Sequence, residues 1–161
     1  MSKAREVQAG ELLRACGWQL ATAESCTGGL IGHRLTNVAG SSDYYLGGVI
    51  AYANEAKVRL LGVLQETLEK YGAVSEKTAI EMARGVRLRL SADIGLSVTG
   101  IAGPSGGSPE KPVGTVWIGL STAREEYARH FLWAGNRLAV KKQSAQVAVE
   151  MLVQHLQKGE A

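Results

Sequence analysis

A chain of 161 residues with 45% hydrophobic and 20% charged side chains has the size of one compact domain, expected over 1–161, and is neither disordered nor fibrous. Its net charge of +3 is spread over scattered Lys and Arg residues with few aromatics, which argues against a nucleic-acid partner and suits a small anionic substrate. No apolar run approaches the roughly 20 residues that cross a bilayer, and MSKAREVQAGELLRACGW lacks the core and cleavage site of a secretory signal, so a cytoplasmic location without membrane contact is expected.

In chain order, EVQAGELLRAC (6–16) sets Val7, Leu12 and Leu13 at helical spacing and predicts an amphipathic helix ending near Gly17. WQLATAES reads as a strand entering a turn. TGGLIGHRLTNV reads as a helix with Leu30, Ile31, Leu35 and Val38 on one face, and GGVIAY as a second strand. Asn54 is expected to cap a short helix over NEAKVRLLGV, and LQETLEKYGAVS holds another that Gly72 stops. Residues 76–90 form an amphipathic helix behind the N-cap Ser75. ADIGLSVTG is a buried strand, GIAGPSGGSPEKPVG a long loop, and TVWIGLS and EYARHFLW an antiparallel hairpin turning at 122–125. A last helix runs from about Arg137 to Leu156. The alternation predicts an α/β fold: a three-layer α/β/α sandwich on a mixed, mostly parallel sheet of about five strands.

Ligands gather at the carboxyl ends of such strands, where three loops stand out. AESCTGG leads two glycines into a helix. It is either a cradle for a phosphate or carboxylate, built on Ser25, Thr27, Gly28 and Gly29, or a tight turn in which Ser25 or Thr27 caps the helix. Cys26 reads as a small buried residue. The corner from Tyr52 to Lys57 puts an amine near a helix start, where the dipole and burial both disfavour its charged form. A lysine so placed can act as a base towards a serine, although spacing alone favours a solvated residue on a short helix. Ser41 and Ser42 lie at the far end of GGVIAY, about 20 Å away along a straight strand. Pairing them with Lys57 needs a later strand start or a second subunit, and otherwise fails. In TGIAGPSGG, Thr99 ends a strand and glycines such as Gly100 and Gly103 let a backbone approach a ligand. Arg137, at the start of the last helix, can hold an anion. Two cysteines at unrelated positions and three separated histidines, without CxxC or HExxH, predict neither a disulfide framework nor a metal site.

Taken together, TAESCTGG, AGSSDYYLGGVIAYANEAK, LLGV, YGAVSEKTAIEMARG, SVTGIAGPSGGSPEKPVGTVW and the GNR before the last helix resemble the C-terminal domain of the competence- and damage-inducible protein CinA, over about Glu6 to Leu156. Stand-alone members of that family are nicotinamide-nucleotide amidohydrolases. The resemblance implies hydrolysis of the carboxamide of nicotinamide mononucleotide to nicotinate mononucleotide and ammonia, in pyridine nucleotide recycling, with no metal or cofactor. It implies Ser42 as nucleophile, Lys57 as base, Tyr52 beside it, and Thr99 and Arg137 in the substrate site. Asn136 stands where the family commonly has Asp. The mechanism then expects Tyr52 to hold the amine and relay its proton, a glycine-loop amide near Thr99 to stabilise the oxyanion, and the AESCTGG helix start with Arg137 to hold the phosphate. A homo-oligomer, first a dimer, is expected. The alternative is a non-catalytic nucleotide-binding or accessory domain, which would keep the anion loops without needing a neutral Lys57.

Overall fold

The computed structural model describes residues 3–159. Its elements follow the order α1 (Arg5–Cys16), β1 (Leu20–Glu24), α2 (Leu30–Thr36), a 3-10 turn at Ser41–Asp43, β2 (Tyr45–Ile50), α3 (Asn54–Leu61), α4 (Gln65–Tyr71), α5 (Glu76–Arg89), β3 (Ile94–Gly100), β4 (Thr115–Ser121), β5 (Glu126–Leu132) and α6 (Arg137–Gln157).

The five strands form one sheet in the order β2-β1-β3-β4-β5. β1 runs parallel to both neighbours, β4 is antiparallel to β3, and β5 returns beside β4 as the expected hairpin. α1, α2 and α6 pack together on one face, while α5 lies across the other with α3 and α4 against it. The three-layer α/β/α expectation holds, with three parallel strands and an antiparallel pair. Burial explains the residue choice in β1: all five residues of LATAE are covered, as a central strand between helical layers requires.

Two glycines set how closely α5 can approach. A Cβ on Gly119 of β4 would stand 2.4 Å from the Ala79 carbonyl oxygen, and one on Gly85 would stand 1.9 Å from that of Leu61. Both are backbone contacts with no room to yield, so α5 closes on β4 and on α3 only because these side chains are absent.

Local chemistry decides several boundaries. Ser75 caps α5, its hydroxyl accepting the Thr78 N–H at 3.2 Å. Asn136 caps α6 in the same way, from the Ala139 N–H at 3.0 Å. Asn and Asp serve equally at that position, so Asn136 preserves the cap where the family commonly has Asp. Two expectations are corrected. Asn54 is the first residue of α3, and Ala53 holds the cap position without a side-chain bond. β2 begins at Tyr45 and ends at Ile50, two residues earlier than GGVIAY implied, which leaves Tyr52 beyond the sheet.

The register sets Glu24 level with both Ile50 and Val98, so the carboxyl ends of β1, β2 and β3 finish side by side. Because the order is 2-1-3, the chain leaves β1 towards one edge and crosses back to β3 on its other side. That is the switch point at which open α/β sheets form a crevice.

Candidate functional site

Lys57 lies in the first half of α3, and its side chain lies back towards the helix start, as long helical side chains do. Its Nζ donates to the Tyr52 carbonyl at 3.0 Å and to Ser25 Oγ at 3.1 Å. The residue is only 2% exposed. Among the described residues no carboxylate pairs with it. Burial therefore pushes its pKa below the ordinary lysine value, with the neighbouring Cys26 as the smaller, opposing influence.

Ser25 follows the end of β1 directly. Its N–H donates to the Val98 carbonyl on β3, and its own carbonyl accepts from Gly28. Both ends of the residue are thus tied down, and the hydroxyl faces Lys57. Burial pushes the adjacent Cys26 thiol up to about 12, so it stays protonated near neutral pH.

Glu24 settles the two readings of the glycine turn. Its Oε1 accepts from the Thr27 hydroxyl at 2.7 Å and from the Ile31 N–H at 2.9 Å, and Oε2 accepts from the Gly32 N–H at 3.1 Å. The chain's own carboxylate therefore satisfies the start of α2. This corrects both sequence expectations: the helix start is not an open phosphate cradle, and neither Ser25 nor Thr27 caps it. Gly28 and Gly29 turn the chain with φ of 59° and 103°, a region costly for other residues.

Ser42 is placed elsewhere. It is exposed in the 3-10 turn ahead of β2, whose first residue pairs with Leu20 at the amino end of β1. Lys57 follows the opposite end of β2, so the strand, about 20 Å long, separates them within one chain. The expected Ser42–Lys57 contact is absent, and Ser25, expected only to bind substrate, takes that place. Tyr52 also departs from expectation. It holds the amine through its backbone carbonyl, while its phenol accepts from Arg137 Nη2 at 2.8 Å. Thr99 lies at the end of β3 with its hydroxyl donated to the Ala73 carbonyl at 2.7 Å. Gly100 gives room to Cys26, whose Sγ would stand 3.2 Å from an added Cβ. Arg137 Nη1 reaches the Gly103 carbonyl at 2.7 Å.

These groups surround a cavity of about 160 Å³ into which Ser25, Lys57, Thr99, Gly100 and Arg137 face. A cavity near 150 Å³ accepts a ring the size of benzene. Arg137, tying Tyr52 to Gly103, spans its rim. A second hollow of about 390 Å³ is lined by Thr27, Gly28 and Gly29 and by Leu138, Lys141 and Lys142, which follow Ser25 and Arg137 respectively in the chain. Sequence reading missed Glu24 and Lys141. A carboxylate just ahead of a glycine turn and helix was a signal for the first, and the four-residue step from Arg137 along one helix face for the second.

The fold and the buried serine–lysine pair define an α/β domain built around an amine held away from water. The family model for the CinA C-terminal domain matches residues 2–156, and the chain belongs to that family. It is 54% identical to a CinA-like protein of Salinibacter ruber over 90% of this chain and 35% of that one. It is 51% identical to a CinA-like protein of Kosmotoga olearia over 88% and 34%. The chain thus spans about a third of the length of these curated relatives. The crystal structure of a CinA superfamily protein from Klebsiella pneumoniae superposes with a TM-score of 0.92 at 34% identity, covering 98% of this chain and 99% of that one. That of the competence/damage inducible protein CihA from Agrobacterium tumefaciens gives 0.89 at 39% identity, covering 96% of each. Among the described residues no helix is long and apolar enough to cross a membrane, and no cluster of His, Cys, Asp or Glu is placed to hold a metal ion.

Proposed function

We propose that this domain is an amidohydrolase that cleaves the carboxamide of nicotinamide mononucleotide, giving nicotinate mononucleotide and ammonia in pyridine nucleotide recycling. One observation carries the reading: the Lys57 amine is buried, unpaired by any described carboxylate, and 3.1 Å from the Ser25 hydroxyl. A binding module has no use for a cation buried at such cost, whereas a serine hydrolase needs a base that is neutral part of the time.

Neutral Lys57 accepts the Ser25 proton as Oγ bonds to the carboxamide carbon. We assign stabilisation of the developing oxyanion to the backbone N–H of Cys26, the residue after the nucleophile. Collapse breaks the C–N bond, and the proton on Lys57 passes to the departing amide nitrogen, which leaves as ammonia. Water then attacks the ester, Lys57 takes its proton, and the ester C–O bond breaks with that proton returning to Ser25. No step calls for a metal. The cavity's size supports a single aromatic ring beside Ser25, and Arg137 on the rim supports an anionic extension.

Ammonia release from nicotinamide mononucleotide by the purified chain tests this reading. Turnover lost in Ser25→Ala supports it; no release by the wild-type chain refutes it. The proposed assembly is a cytoplasmic homodimer, supported by the apolar Leu46 and Ile50 exposed on edge strand β2 and checked by light scattering.

A further inference from the structure

The geometry points to Lys141 as the residue that holds the phosphate of a nucleotide substrate, in the hollow beyond Arg137. This rests on the reading that the Ser25 cavity takes the base of a nucleotide, and it names where the charged end goes.

The start of α2 cannot take that charge, because Glu24 fills it and would repel an anion there. The cavity beside Ser25, about 160 Å³, is too small for a whole nucleotide, since pockets for such ligands run to about 300–1,000 Å³. The substrate must therefore continue outwards. The second hollow is lined by the next residues of the same two segments: Thr27 and Gly28 follow Ser25 and Cys26, and Leu138 and Lys141 follow Arg137. Arg137 and Lys141 are four residues apart in α6, so they share a helix face about 6 Å apart along the axis. A ligand passing Arg137 meets Lys141 next.

Lys141 is half-buried, and no hydrogen bond or ion pair to a described residue holds it. Its Nζ would stand 3.7 Å from a Cβ on Gly28, whose φ of 59° and missing side chain leave room above the turn. Exposed Lys142 and His33 add polar nitrogens at the edge, and no carboxylate lines the hollow. Leu30 and Leu138 supply apolar surface to the same lining. A phosphomonoester is the anion that such a set of donors suits, because its oxygens accept several at once.

The test compares nicotinamide mononucleotide with nicotinamide riboside, which lacks the phosphate, in the wild type, Lys141→Gln and Lys141→Arg. Lys141→Gln should cut the preference for the phosphorylated substrate in kcat/KM by about ten- to hundredfold, the worth of one charge-assisted hydrogen bond, and Lys141→Arg should restore most of it. An unchanged preference in Lys141→Gln overturns the inference, as does an equal loss on both substrates. Titration with ribose 5-phosphate, followed by amide NMR, needs no turnover. Shifts at Gly28 and Lys141 that vanish in Lys141→Gln support the phosphate site even if neither amide is hydrolysed, and their absence in the wild type overturns it.

Discussion

Lys57 and Ser25, 32 residues apart in sequence, meet at 3.1 Å because β1 and β2 finish level and both turn into the same crevice. The amine comes from the helix after β2 and the hydroxyl from the loop after β1, so the contact exists only in the folded chain.

That contact makes Ser25 the hydroxyl to remove. Ser25→Ala should lower kcat by about 1,000-fold or more, as losing a nucleophile does, while leaving binding of nicotinamide mononucleotide measurable by calorimetry. Ser42→Ala should stay within about twofold of wild type, as an exposed substitution away from the site does. A dead Ser42→Ala with an active Ser25→Ala would return the nucleophile to Ser42 and require it to come from a second subunit.

Burial of the amine predicts two dependences on pH. Activity should rise with pH along an acid limb set by Lys57 losing its proton, at a value below the ordinary 10.5, and Lys57→Arg should be slower by about 100- to 10,000-fold at every pH. Stability follows the same group. Between its lowered folded value and 10.5 the unfolded chain binds the proton more tightly, so wild-type stability rises with pH across that window. Lys57→Met lacks this dependence. Its melting temperature should exceed that of wild type most at acid and neutral pH, and the gain should shrink as pH nears 10.5.

Glu24 holds the turn that presents Ser25. Glu24→Gln keeps the shape but exchanges charged for neutral hydrogen bonds and leaves one carboxylate acceptor as a donor facing a backbone N–H. Urea unfolding should show a loss of about 2 kcal/mol. Turnover should fall with it, whereas KM for the riboside should change little, because the serine is displaced and the pocket is not.

The tight approach of α5 is tested at Gly85. Gly85→Ala drives a Cβ against the Leu61 carbonyl, and the strain should cost about 1–3 kcal/mol despite the better helix propensity of alanine. An unchanged unfolding midpoint would mean that α3 and α5 can separate freely.

Much was readable from the chain alone. Apolar periodicity, the cap at Ser75 and the turn at 122–125 set the helices and the hairpin, because each depends on residues close in sequence. The loops at the ends of β1, β2 and β3 were recognisable by their glycines and polar residues, and Lys57 by its place at a helix start. The partner of that lysine was not readable. Which serine it meets depends on how the loops after β1 and β2 pack, and the strand reading sets Ser42 at the far end while placing Tyr52, two residues too late, inside the sheet. The fate of the α2 start was likewise decided in three dimensions, since only the folded turn lets Glu24 reach back onto Ile31 and Gly32. Short-range propensities act within a few residues, whereas burial of an amine against a hydroxyl from another loop is a property of packing, and the tertiary structure alone decides it.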